Sequence, residues 1–199
     1  MIDLDRFDDT PFFSFFRPVF EFINEGKHLS IVYSIIHFAM ALLNLLLPFI
    51  IIYNAIKWRI FSQGAKIVFA FIFMWLVVVF ACWIGFQFWW DRRKKATDAG
   101  SPDFLAMPLA SEILQTMGEC MGIQIAIIGV GGGLASIFFA REVSNLLRRY
   151  FSNMIGYYSS FLSFGVSLII VGPLIGIAFM CIFRFFAELV RVLAAIANK

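Results

Sequence analysis

Four long stretches without any charged residue constrain this chain more than any other feature. Lys, Arg, Asp and Glu are absent from residues 28–56, 67–90, 120–140 and 150–183. A helix needs about 20 apolar residues to cross the hydrocarbon core of a bilayer, and each stretch reaches that length. Backbone polar groups in hydrocarbon must be paired within the segment, which favours helices, and the alternation of membrane barrel strands is missing. The sequence therefore predicts an all-α membrane protein with four transmembrane helices.

Composition supports a single membrane domain over residues 1–199. Hydrophobic residues make up 61% of the chain and charged residues 15%, whereas soluble domains carry about 25% charged residues. A soluble fold of this length could not bury so much apolar surface. The net charge of +3 and the lack of a long basic arm argue against a nucleic-acid partner.

The element boundaries follow from the charge-free stretches and from the helix breakers around them. Residues 10–25 place apolar side chains on one helical face, which is typical of an amphipathic helix lying at the membrane surface. Residues 141–151 suggest a second surface-lying segment. We expect Pro48 to kink the first span, Pro108 to break the polar loop, and Gly172-Pro173 to interrupt the last span. The transmembrane helices are predicted at 29–53, 67–90, 112–140 and 160–185, with a polar loop at 91–111.

Polar residues inside the predicted spans are the candidates for a functional site. They form an intramembrane polar face on the first and third helices: Ser34, His37, Asn44, Glu119 and Gln124. One interpretation is hydrogen bonding between helices, worth about 0.6–2 kcal/mol per bond. The other is a proton or ion path in which His37 titrates. Glu119 is expected either to reach towards the interface or to pair with His37, Asn44 or a water-filled cavity.

Small residues recur along one face of the third predicted helix and again in the fourth. Such stripes let two helix backbones approach closely, and the fourth helix could dock on the third. An alternative for the glycine-rich residues 129–133 is a hinge for gating, because each glycine weakens a helix by about 1 kcal/mol. The residues expected at helix contacts are Gly118, Gly122, Gly129, Gly133, Gly172 and Gly176.

The remaining reactive and charged residues give no catalytic or metal-binding pattern. Cys82, Cys120 and Cys181 fall within predicted spans without CxxC or Cys/His spacing, so we expect buried, unreactive thiols and no metal site. Neither HExxH nor GxSxG occurs, and the sequence predicts no enzyme and no cofactor. Near the C-terminus, Arg184, Glu188 and Arg191 are spaced as an ion-paired helix face.

The distribution of basic residues predicts the orientation. The cluster Arg92-Arg93-Lys94-Lys95 directly follows Trp89-Trp90 and is typical of a cytoplasmic anchor behind an aromatic belt. Binding of an anionic lipid headgroup is the alternative for this cluster. With four spans, the N-terminus, the 91–111 loop and the C-terminus share one side and hold ten of the 16 Lys and Arg residues. We therefore expect both termini in the cytoplasm.

Both chain ends resemble a known group of proteins. The segments FFSFFRPVFEFI and GPLIGIAFMCIFRFFAELVRVLAAIANK resemble short bacterial inner-membrane proteins classed as a domain of unknown function, and the resemblance covers about 40 residues. The stretch TMGECMGIQIAIIGVGGGL is also similar to segments of uncharacterised bacterial membrane proteins. The resemblance implies a multi-pass protein of the bacterial inner membrane and implies no activity.

Two functional hypotheses follow from the sequence. The first is a non-enzymatic membrane protein that forms homo-oligomers or serves as a subunit with other membrane proteins, because a glycine stripe and an aromatic surface segment favour helix association. Its other partners would be membrane lipids. The second is a small oligomeric channel or transporter component with a polar path along helices 1 and 3.

Overall fold

The computed structural model describes residues 27–93, 106–139 and 161–197, and their regular elements are all helices. Helix α1 spans Lys27–Lys57, α2 Ala65–Arg92, α3 Ala106–Phe138 and α4 Phe161–Ala197, with a short 3₁₀ helix at Ile60–Ser62 between α1 and α2. All four α-helices are long and apolar enough to cross a membrane. This confirms the all-α prediction with four candidate spans, as expected of a multi-pass membrane protein. The amphipathic helix predicted at 10–25 and the surface segment at 141–151 lie outside the described residues.

Side-chain size decides which helix faces meet in the bundle. Small residues such as Ala41, Ala81 and Ala135 are buried between helices, whereas large ones such as Phe49 and Leu174 point outwards and are well exposed. Contiguous apolar surface of this kind is avoided by soluble monomers. In lipid it is favourable, and small residues at helix interfaces let the backbones pack closely.

Helix α3 lies at the centre of the arrangement. It contacts α1 and α2, which also pack against each other, and α4 packs against it along most of its length. The start of α1 and the end of α2 are joined by the Tyr33 hydroxyl, which donates to the Arg92 carbonyl oxygen at 3.4 Å. The start of α3 and the end of α4 are joined by Arg191, which donates to Ser111 at 3.0 Å. We call this common end of the bundle, marked by Arg92 and Arg191, the charged end.

Proline positions depart from the sequence-based expectations. Helix α3 begins at Ala106, so the predicted loop bounds of 91–111 and the predicted helix start at 112 are wrong. Pro108 lies in the first turn of α3, where a missing N–H has no helical partner to lose. Helix α4 continues through Pro173, so the predicted interruption at Gly172-Pro173 is wrong. Proline is tolerated within membrane helices because neighbouring groups compensate for the single lost hydrogen bond. Helix α1 also continues through Pro48, where the predicted kink stays a prediction, and the Pro48 carbonyl oxygen accepts the indole N–H of Trp75 at 3.0 Å.

A tight connection joins α1 to α2 and sets them antiparallel. Arg59 adopts a left-handed conformation with φ of 52°, and its carbonyl oxygen accepts the Ser62 hydroxyl at 2.8 Å. Gly64 precedes α2 with φ of 107°, a backbone conformation that side chains disfavour. With these two positive φ angles the chain reverses its direction between the end of α1 and the start of α2.

Candidate functional site

An ion pair between α2 and α3 occupies the charged end. The guanidinium of Arg92 contacts the Glu119 carboxylate and also donates to the Thr116 hydroxyl at 3.0 Å. The Arg92 and Glu119 side chains are only 17% and 23% exposed. Gln115 donates to the second Glu119 oxygen at 2.8 Å, so both oxygens of this carboxylate are engaged. A carboxylate within a membrane helix is thereby neutralised and hydrogen-bonded, which lowers the cost of burying it.

The same network reaches α4 through Arg191. This guanidinium donates to the Ser111 hydroxyl at 3.0 Å and to the Gln115 side-chain oxygen at 2.9 Å, and it lies 3.8 Å from Glu112. Gln115 of α3 therefore connects the Arg92–Glu119 pair to Arg191 of α4, because its side chain hydrogen-bonds to both Glu119 and Arg191. The sequence predicted Arg191 as a member of an ion-paired face within α4. That face is present only for Arg184 and Glu188, at 3.4 Å, because Arg191 turns towards α3.

Next to the charged end, His37 is fully buried in contact with two aromatic rings. Its ring stacks on Tyr33, with centroids 3.9 Å apart, and meets the edge of Trp89 at 4.9 Å. Its Nδ1 lies 2.9 Å from the Tyr33 carbonyl oxygen. A carbonyl oxygen only accepts hydrogen bonds, so Nδ1 carries a proton, and in the neutral imidazole Nε2 then presents a lone pair. Among the described residues Nε2 has no hydrogen-bond partner.

Further along the bundle, two side-chain amides meet between α1 and α3. Gln124 donates to the Asn44 side-chain oxygen at 2.5 Å, while the Asn44 amide nitrogen donates to the Met40 carbonyl at 2.8 Å. Gly85 of α2 makes room for the pair, since a Cβ at that position would come within 2.5 Å of both amides. The bond is an interhelical contact of modest strength.

The glycines named from the sequence lie between α3 and α4. A Cβ on Gly122 would come within 2.5 Å of the Gly176 carbonyl oxygen, and one on Gly129 within 2.7 Å of the Gly172 Cα. A Cβ on Gly133 would come within 2.5 Å of the Gly165 carbonyl oxygen. Gly118 faces the Phe183 side chain. The stripe thus brings two helices of the same chain into backbone contact, and residues 129–133 are helical throughout.

The polar residues predicted as one face are separated into three groups. His37 is enclosed by aromatic rings, Asn44 pairs with Gln124, and Glu119 pairs with Arg92. The expected pairing of Glu119 with His37 or Asn44 is therefore not what the structure shows. Ser34 is half-buried and takes no part in these contacts.

The bundle buries two of its three thiols and contains an apolar groove and a smaller cavity. Cys82 and Cys120 are buried, but Cys181 is exposed on α4, so the prediction of three buried thiols is wrong for Cys181. The buried residues of α4 lie on the helix face of Gly172 and Gly176, which contacts α3, whereas Cys181 lies on another face of the helix. An apolar groove of about 570 Å³ runs between α2 and α3, and a cavity of about 330 Å³ opens at the charged end. The described residues hold no cluster of His, Cys, Asp or Glu suited to a metal ion.

Several partners in these contacts were missed by sequence reasoning. Arg92 was assigned to a basic surface cluster, although it turns inwards to Glu119, and Trp89 was assigned to an aromatic belt, although it packs on His37. The sequence did contain one signal for these contacts: Glu112, Thr116 and Glu119 are spaced to lie on one helical face, which could pair with basic side chains of other helices.

Comparison of the chain with protein-family models, with curated proteins and with solved structures found no match. The resemblance at the chain ends accordingly stays a prediction.

Proposed function

We propose that this protein is a non-enzymatic multi-pass protein of the bacterial inner membrane that assembles with further copies of itself or with other membrane subunits. The observation that carries the proposal is the one-sided packing of α4. This helix makes its extensive contact with α3 alone, through the face that holds Gly172 and Gly176. The remainder of α4 is apolar and exposed over most of its length.

The outer face of α4 has features that favour a further helix partner. Leu174, Ala178, Cys181 and Phe185 follow one another at helical spacing opposite the glycine face, and all four are exposed. Small residues in the middle of such a stripe allow a second helix to approach closely. The glycine stripe of α3 no longer supports this proposal, because α4 of the same chain covers it. The support for assembly now comes from the exposed outer face of α4.

Charge distribution supports the proposed orientation with both termini in the cytoplasm. The charged end brings together the start of α1, the end of α2, the start of α3 and the end of α4. The chain between α2 and α3 connects two helix ends that lie at this charged end, and its sequence begins with Arg93, Lys94 and Lys95. The positive-inside rule assigns such an end to the cytoplasm.

The channel or transporter alternative requires polar residues that line a hydrated path. Asn44 and Gln124 instead bond to each other, and Glu119 bonds to Arg92, which favours assembly over transport. Flux assays in liposomes distinguish the two. Ion flux that is lost in both Asn44→Leu and Gln124→Leu, with the fold retained, would favour the channel.

Native mass spectrometry of the protein extracted in mild detergent from its own membrane tests the assembly proposal. We expect a complex heavier than the monomer. Ala178→Phe places a large ring on the outer face of α4 and should dissociate the complex. Ala39→Phe is the matched control, since Ala39 is an exposed alanine on α1. A wild-type monomer, or equal effects of the two variants, would refute the proposal.

A further inference from the structure

Two adjacent arginines at the end of α2 have different surroundings. Arg92 points into the bundle, where Glu119 and Thr116 engage its guanidinium. Arg93 instead lies over the Trp90 ring, with its central guanidinium carbon 4.4 Å from the ring centroid. The same carbon lies 5.8 Å from the Phe38 ring of α1. Among the described residues Arg93 is paired with no carboxylate, and its side chain is half-buried.

Aromatic stacking fixes how the Arg93 guanidinium is presented. Trp83, Phe86 and Trp90 form a continuous stack along α2, with neighbouring centroids 5.7 and 5.6 Å apart. Arg93 extends this stack by one cationic plane, and Phe38 flanks it from α1. A guanidinium that lies flat on a ring satisfies its face and leaves its N–H edge free for hydrogen bonding. Aromatic rings of two helices thus lie beside the Arg93 guanidinium.

The position of Arg93 at the end of a candidate span indicates which class of ligand its guanidinium can meet. Arg93 directly follows the last residue of the α2 span, and both Trp90 and Phe38 are exposed on the outside of the bundle. A residue at this depth faces lipid headgroups rather than acyl chains. Asp91 is exposed but lies two positions away, on another side of the helix, so it does not neutralise Arg93. The sequence adds Lys94 and Lys95 immediately after it.

We propose that Arg93, held by Trp90 and Phe38, binds the phosphate group of an anionic phospholipid at the charged end of the bundle. The planar guanidinium matches two phosphate oxygens in a bidentate geometry, which an ammonium group cannot reproduce. The exposed rings beside it contact the upper part of the acyl chains. This site is independent of the assembly face on α4, and its test does not require an oligomer.

Lipid retention in native mass spectrometry tests the proposal. The delipidated full chain is mixed with phosphatidylglycerol or with phosphatidylcholine of the same acyl chains. We expect the wild-type protein to retain one phosphatidylglycerol preferentially. Arg93→Gln should weaken retention about tenfold, the loss expected when a charge-assisted hydrogen-bond pair is removed. Arg93→Lys keeps the charge without the planar edge and should fall between the two.

Arg184→Gln is the matched control, because Arg184 is an exposed arginine of α4 that is already paired with Glu188. It should leave retention unchanged. Equal retention of both lipids by the wild-type protein, or unchanged retention in Arg93→Gln, would overturn the proposal. Displacement of the lipid by inorganic phosphate at an equal concentration would also overturn it, since the rings and the acyl chains would then contribute nothing to binding.

Discussion

At the scale of single residues, His37 is the side chain whose burial most needs a physical explanation. The ring is fully buried, and its Nε2 lone pair is left without a partner among the described residues. An unpaired buried acceptor costs about 1–3 kcal/mol. The ring stack with Tyr33 and the edge contact with Trp89 offset that cost, because aromatic pairs contribute about 0.5–1.5 kcal/mol each beyond their burial.

Two substitutions at His37 separate a packing role from a functional one. We expect His37→Phe to keep or raise the thermal stability in detergent, because the phenyl ring retains the stack and removes the unpaired acceptor. His37→Ala should destabilise the protein by about 3 kcal/mol, because it leaves a cavity between Tyr33 and Trp89. The measurement is thermal unfolding of both variants beside the wild type. If His37→Phe unfolds as readily as His37→Ala, the imidazole makes a polar contact that packing does not explain.

At the scale of helix pairs, the contact between α3 and α4 depends on individual glycines. Gly129 lies against the Gly172 backbone, where an added Cβ would stand 2.7 Å from the Cα. Gly132, three positions later, has nothing closer than the Leu168 Cδ1 atom at 4.0 Å. The two glycines belong to the same stretch of helix but differ in their neighbours.

This difference gives a matched pair of substitutions. Gly129→Ala should destabilise the protein by about 1–3 kcal/mol, because a backbone contact cannot yield to a methyl group without separating the helices. Gly132→Ala should be neutral or stabilising by up to about 1 kcal/mol, because alanine favours helix and the space is open. Thermal unfolding in detergent measures both. Equal destabilisation would show that the helix itself, rather than its contact with α4, depends on glycine.

The ion pair between α2 and α3 is the second interhelical contact with a testable energy. Glu119→Gln keeps the shape of the side chain but leaves the Arg92 charge without its partner. We expect a loss of about 3 kcal/mol, which is typical of breaking a buried pair. The double variant Arg92→Met with Glu119→Leu should recover much of that loss, because no buried charge remains. Thermal unfolding in detergent of Arg92→Met, Glu119→Leu and their double variant measures the coupling, and additive effects of the two substitutions would contradict a direct pair.

The contacts of the helix pairs also show what local sequence could and could not predict. The glycines at Gly129 and Gly172 were recognisable because small-residue spacing is a periodic property of one helix. The pairing of Arg92 with Glu119 was not recognisable, because it depends on which faces of two helices meet. The start of α3 at Ala106 was not recognisable either, because a proline such as Pro108 fits the first turn of a helix as well as it fits a loop.

At the scale of the whole molecule, the four candidate spans follow from charge-free length alone, whereas their arrangement does not. Hydrophobic length predicts that a segment crosses the bilayer, and it carries no information on which segments touch. The central position of α3 and the one-sided packing of α4 arise from side-chain size. For the same reason, the sequence named His37, Asn44 and Glu119 as one face but could not show that they divide among separate contacts.

Orientation can be tested with single cysteines in a background that lacks Cys82, Cys120 and Cys181. We expect a cysteine at Ser62 to react with an impermeant maleimide in intact cells, because the turn between α1 and α2 faces away from the charged end. A cysteine at Ala99 should react only after lysis, since the four positive charges at 92–95 disfavour export of the chain between α2 and α3. The reverse pattern would invert the topology, and equal labelling of both sites would indicate dual orientation.

The central claim is that the outer face of α4 meets another transmembrane helix. Its most direct test is photo-crosslinking in living cells, with a photoreactive amino acid placed at Cys181 on α4 or at Ala39 on α1. Both positions are exposed in the isolated chain. The account predicts a discrete protein adduct from position 181, with the mass of a second copy or of another subunit, and none from position 39. Absence of a protein adduct at 181, or equal adducts at both positions, would contradict it.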